Sequence, residues 1–256
     1  AKMLQTGMPD LPLLAFSLII PDASEMKAEV VFSDYTDYQY SIAPSKGNLK
    51  RDIDPSQIQY TYSPAYSVNE FLPNNNVALR DPYILRDFRG QSVVVYPMQY
   101  NPVTRVLRVY YSMTIKISPT GNTSSLNNLN RQGNLTSVDP SFSSIYQNHF
   151  INYSLSTYTP GIDHGKMLVI ADASLMQTME PFVNWKNRLG QATEMIDVAS
   201  VGTTPQDIKT YIENYYNTNG LTFVLLVGDG PQIPPFPSVS GDSDPSYGYI
   251  LGSDSY

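Results

Sequence analysis

The hydrophobic pattern changes period part-way along the chain. Through residues 1–118 the apolar positions come in short alternating runs. Val109, Tyr111, Met113, Ile115 and Ile117 interleave with Tyr110, Ser112, Thr114 and Lys116, the period of two that turns one face of a strand inward and leaves the other wet. Runs at 14–20, 29–32 and 92–96 predict further strands. Asn101, Pro102, Val103 and Thr104 separate the Val-rich run at 92–96 from the run at 106–117, and this spacing predicts a hairpin between those two. Pro9, Pro12, Pro21, Pro44, Pro55, Pro64, Pro73 and Pro82 punctuate the region. Proline cannot donate to a central ladder, so each marks a turn or an edge. Short strands divided in this way predict an all-β, sandwich-like domain over 1–118.

Residues 119–160 carry little pattern. The Asn/Ser-rich stretch 122–130 reads as an exposed linker, 143–150 as a short helix, and Tyr158, Thr159, Pro160 and Gly161 as the close of the linker. From Gly165 the period lengthens. Met167, Leu168, Val169 and Ile170 form a continuous apolar run, the mark of a strand covered on both faces. A helix is predicted over 179–189, with Pro181 in its first turn and Gly190 as its stop. The next strand is placed at 193–198. Thr204 caps a second helix, Pro205 opens it, and Ile208, Tyr211, Ile212 and Tyr215 make its apolar stripe up to Gly220. Phe223 to Val227 reads as a third, fully apolar strand. Strand and helix alternating in this order predict a parallel sheet over 161–256, with ligands taken at the carboxyl ends of its strands.

Composition narrows the chemistry. A formal net charge of −7 argues against a nucleic-acid partner, since phosphate binding wants a basic face. No apolar run is long enough to cross a bilayer, and the run at 11–21 is broken by Pro12 and Ser17. The opening Ala1-Lys2-Met3 has no signal-peptide pattern, so a leader removed upstream is the expectation. Tyr is abundant, with 20 residues, and charged residues are sparse, a composition common on exported bacterial proteins. There is no cysteine and there are only two histidines, His149 and His164, both in the joining segment. A Ser–His or Cys–His mechanism run wholly inside these residues is therefore not expected.

Asp229 follows the third strand, where a carboxylate either binds a metal or simply caps a turn. Asp242, Asp244 and Asp254 lie in an acidic, Gly-rich loop that reads as a solvated turn or, since hard cations take several oxygen ligands, as a calcium site. Its spacing is not that of an EF-hand. No Gly-Lys-Ser/Thr and no G-x-G-x-x-G occurs, so no nucleotide cofactor is expected. Trp185 is assigned to the core. The clusters Tyr35/Tyr38/Tyr40 and Tyr60/Tyr62/Tyr66 are assigned to cross-strand packing rather than to a sugar-binding surface.

The second half resembles the gingipain-type cysteine peptidases. The residues that carry this are Tyr158-Thr159-Pro160, the run from Gly165 to Ile170, Phe182-Val183-Asn184-Trp185-Lys186-Asn187 with Gly190, Val224-Leu225-Leu226-Val227-Gly228-Asp229, and Tyr247-Gly248 with Gly252-Ser253-Asp254-Ser255-Tyr256. The first half resembles the family's propeptide through Pro9-Asp10-Leu11-Pro12 and the stretch from Val94 to Pro102. The resemblance implies a zymogen, with a β-sandwich propeptide that confers latency and assists folding, then the first part of a caspase-like protease domain. It implies a Cys–His pair beyond residue 256, protein or peptide substrates, the remainder of the protease domain as partner, and a secreted or cell-surface bacterial location. It also implies calcium, with Asp244 and Asp254 as candidate ligands, and it makes the 256-residue chain alone inactive. Relatives of basic specificity carry Arg before Tyr-Thr-Pro, where Thr157 stands here. Cleavage elsewhere, as after Arg131 to leave Gln132 as the new end, is then expected. Two other readings stay open: a surface adhesion module, and a secretion-system component with a peptidase-like fold.

Overall fold

The computed structural model describes residues 1–130, 135, 137–161, 165–238 and 241–251. The expectations for Arg131, Gln132, His164 and Asp254 lie outside the described residues. The chain divides into two compact units, one of Ala1–Leu126 with Phe150–Asn152, the other of Asn127–His149 with Tyr153–Tyr256.

The first unit is all-β. Strands β1 (Leu14–Ile19), β3 (Val77–Leu85) and β4 (Phe88–Val95) form one antiparallel sheet in the order β1-β4-β3. Strands β2 (Ser24–Gln39), β5 (Met98–Asn101) and β6 (Val106–Thr123) form another, ordered β2-β6-β5. The turn after Asn101 is where the sequence places it, but the hairpin it closes joins β5 to β6, with Asn101 opposite Val106. The Val-rich strand instead becomes the centre of the other sheet. Its Val93, Val94 and Val95 are buried, and both its edges are taken, by β1 and by β3, so none is left for β6. Asn101 holds the turn by accepting the N–H groups of Val103 and Thr104.

β2 and β6 pair along most of their length through three irregularities in register. Tyr35 meets Tyr110 edge-on across this pair, with centroids 5.4 Å apart. Cross-strand packing thus accounts for Tyr35. Tyr60, Tyr62 and Tyr66 lie outside the strands, and Tyr66 donates from its hydroxyl to the Ile42 carbonyl while its ring meets that of Tyr62. A local turn over Pro64–Ser67 brings Tyr66 against Tyr62 and against Tyr100 of β5, while Tyr60 lies under the Lys46 ammonium.

The second unit is built on a parallel sheet of β9 (Lys166–Ala171), β10 (Ala192–Asp197) and β11 (Leu221–Val227), ordered β10-β9-β11. Leu168, Val169, Ile170 and Ala171 of the central strand are fully buried, as its unbroken apolar run requires. β11 is an edge strand among the described residues, and Val224 stays partly exposed. One face of the sheet packs Leu168 and Ile170 against Ile208, Ile212 and Tyr215. These last three belong to helix α4 (Pro205–Asn219), begun by Thr204 with a reciprocal Asp207 capping box and ended by Gly220 at φ +72.

Helix α2 spans Ala173–Arg188 and so begins earlier than the periodicity predicts. Asp172 starts it by accepting the Ser174 N–H, which leaves Pro181 inside the helix instead of in its first turn. Trp185 is 52% exposed and Leu189 59%, so Trp185 is not a core residue. Helix α3 (Val198–Val201) is a single turn capped by Asp197.

The segment read as a linker is largely built. Leu129 and Asn127 are buried, contrary to an exposed linker. Helix α1 covers Pro140–His149. Its Phe142 lies face to face with Phe223 of β11 at 5.9 Å, and Tyr146 is sealed beside Tyr153. Ser137–Val138 (β7) and Thr159–Pro160 (β8) pair in parallel, so the ends of this stretch meet.

Candidate functional site at the carboxyl edge of the parallel sheet

The three parallel strands end level. Asp197 of β10 and Val227 of β11 both stand opposite Ala171 of β9. The residues that follow define the edge at which open α/β sheets take ligands. Asp172, Asp197 and Asp229 bring three carboxylates there, and each is occupied locally. Asp172 accepts from the N–H and the hydroxyl of Ser174. These bonds, the hydroxyl first, hold its carboxyl below the usual range. Asp197 accepts the Ala199 N–H at 3.0 Å. Asp229 accepts the Gly230 N–H at 2.8 Å, and its carbonyl accepts from the N–H groups of Gln232 and Ile233. Asp229 is thus a turn former.

Gln232 links the loops of this edge. Its Oε1 accepts the Asp229 N–H, and its Nε2 lies 3.5 Å from the Ser174 hydroxyl. Gly228 permits the tight exit from β11, because a Cβ there would stand 3.1 Å from the side chains of Gln232 and Ile233. Ile233 then enters the core. Sequence reasoning passed over Gln232 and Ile233, although an isolated apolar residue just after a Gly-Asp-Gly turn is the signal that could have found them.

The acidic loop follows. Phe236–Ser238 (β12) and Gly241–Ser243 (β13) pair antiparallel, and a short 3-10 turn covers Pro245–Gly248. Tyr247 anchors it. The ring is buried against Phe236, and the hydroxyl donates to the Pro234 carbonyl. Burial first, then the charge of Asp244, pushes the Tyr247 phenol up. Asp242 and Asp244 are exposed, and the Asp244 side chain makes no capping bond. Among the described residues no three acidic or histidine side chains come close enough to hold a metal ion together. Asp242 and Asp244 offer two of the several oxygen ligands that calcium takes, and Asp254 lies outside the described residues. His149 ends α1 on an open surface groove with Ser144, Ile145 and Asn148.

A caspase-like beginning without a thiol, preceded by an all-β unit, is the geometry against which known proteins compare. Residues 1–153 match the C25 propeptide family, and residues 163–256 match peptidase family C25. The chain belongs to the gingipain-type C25 peptidase family. It is 41% identical to Gingipain R1 of Porphyromonas gingivalis over 98% of its length, covering 26% of that protein. Against Gingipain R2 of the same species it is 39% identical over 98% of its length, covering 35%. The chain therefore spans about a quarter to a third of these C25 relatives. A solved complex of the RgpB pro- and mature domains of P. gingivalis superposes with a TM-score of 0.52 at 37% identity, covering 60% of this chain and 77% of that one. Within C25 terms the chain holds the propeptide and the opening of the peptidase domain, and no catalytic thiol, since it has no cysteine.

Proposed function

We propose that this chain is the latency and folding portion, with one flank of the substrate cleft, of a secreted or cell-surface gingipain-like cysteine endopeptidase zymogen. The observation that carries this reading is the unbroken succession, in one chain, of the C25 propeptide and the start of the C25 peptidase domain. In the complete enzyme a thiolate attacks the scissile carbonyl of a protein substrate, and a histidine moves the proton. The 256 residues contain no cysteine, so that thiol comes from sequence outside them. No helix among the described residues is long and apolar enough to cross a membrane. Calcium belongs to the reading only if Asp254 joins Asp244. Isothermal titration of calcium into the complete gene product, and into its Asp244→Asn and Asp254→Asn variants, checks that pairing.

The decisive test is peptide hydrolysis. The complete product, once processed, is expected to cleave fluorogenic peptides and to lose that activity on alkylation with iodoacetamide. The 256-residue chain is expected to cleave none of them and to inhibit the processed enzyme when added back. Hydrolysis by the chain alone, or activity indifferent to alkylation, would sink the proposal.

A further inference from the structure

Three residues of the first unit lie far in sequence from the rest of it. Phe150–Asn152 belongs to that unit, whereas His149 and Tyr153 on either side belong to the other. The three are held the way a bound peptide is held. β1 is an edge strand of the sheet β1-β4-β3, and Ser17 of β1 forms a parallel bridge with Phe150. The Ile151 N–H donates to the Ser17 carbonyl at 3.1 Å. Asn152 uses its side-chain amide as a surrogate strand. Its Oδ1 accepts the Ile19 N–H at 2.8 Å, and its Nδ2 donates to the Ile19 carbonyl at 2.9 Å.

Phe150 is 2% exposed and fills a pocket among Phe88 and Tyr83, with ring centroids 6.1 and 6.4 Å away. The floor of that pocket is Gly90 of β4, the register partner of Ile19. A Cβ on Gly90 would stand 2.7 Å from the Phe150 ring and 2.7 Å from the Tyr83 ring. Gly90 has no positive φ, so the need for glycine here is one of room, and the room is taken by Phe150. Main-chain bonds along an edge strand, a pocket for one aromatic side chain and a fork for an amide two residues on are the parts of a β-augmentation peptide site.

We propose that the first unit carries a peptide-recognition groove on the β1 edge, specific for an extended aromatic-x-Asn segment, which Phe150–Asn152 occupies in cis. The groove is independent of the peptidase reading, since every group in it lies in the β unit. The test uses the 256-residue chain and a fluorescein-labelled peptide of residues 147–154. The wild-type chain does not bind the peptide, because its own segment fills the groove. The chain carrying Phe150→Ala and Asn152→Ala binds it, and adding Gly90→Ala weakens that binding at least about tenfold.

Failure of the folded double variant to bind, or equal binding by the wild-type chain, overturns the proposal. If the double variant does not fold, as judged by circular dichroism, Asn152→Ala alone decides. Amide exchange at Ile19, whose N–H the Asn152 side chain accepts, then rises above wild type and falls again when excess unlabelled peptide is added. Exchange that the peptide does not change overturns the proposal.

Discussion

Arg89 shows how one side chain can organise a unit. It is 1% exposed, and its guanidinium donates to the carbonyls of Pro21 and Ser24 at 3.0 and 2.8 Å and of Leu126 at 2.9 Å. The fork geometry lets one group hold the turn between β1 and β2 and the chain beyond β6 together. Burial pulls the guanidinium below its ordinary value, and the nearby charge of Asp22 offsets this only in part. Replacing Arg89 with Met withdraws all three donors, and we expect a loss of about 3 kcal/mol. Arg89→Lys should fall between, since an ammonium cannot reproduce the fork. Urea unfolding of the three proteins checks the order, and a Met variant as stable as wild type would refute the role. Nothing in the sequence separates this arginine from Arg86 three positions earlier. Burial, which only the packed sheets decide, tells them apart.

Among the elements, the two long helices differ in how their sequences report them. α4 was legible in full because its signals agree: a Thr cap, Pro at the first position, a one-sided apolar stripe and a terminal Gly. α2 was not, because Pro181 pointed to a start that the fold places elsewhere. The Asp172 cap and the end of β9 set that start. An interior proline removes an intrahelical hydrogen bond and crowds the preceding turn, so Pro181→Ala should stabilise the chain, by about 1–3 kcal/mol. A raised midpoint in thermal unfolding checks this, and a lowered one would mean that the proline shape is needed. α2 has no fully buried residue, which is why its aromatic residues misled. Phe182 and Trp185 flank Lys186 with its ammonium 5.7 and 5.2 Å from the two rings, a surface arrangement that hydropathy cannot separate from a core stripe.

Over the whole molecule, several carboxylates are held below their usual range: Glu25 by Asn122, Glu29 by Lys27, Asp37 by Arg108, Asp54 by the Ser56 N–H and Asp172 by Ser174. In the unfolded chain these groups titrate near 4. The stability they add is therefore complete above that value and is lost as pH falls through the lower folded values. We expect the thermal midpoint to be level from about pH 7 to pH 5 and to drop below about pH 4. Calorimetry across that range checks it, and a midpoint that rises on acidification would reverse the sign. The effect of each exposed group is small and screened by salt, so the fall should be gradual.

The sequence by itself determined the division into a β part and an α/β part, the buried central strand β9 and the whole of α4, because each rests on local periodicity and capping chemistry. The family could also be read from short contiguous blocks, since such blocks lie within single local elements, among them β9, helix α2 and β11 with the Gly228-Asp229 turn after it. Tertiary structure alone decided which strand β6 pairs with, that the carboxylates at the sheet edge are spent on turns, and that Phe150–Asn152 lies along β1. Each of these joins groups distant in the chain, and periodicity within a window carries no information about the partner.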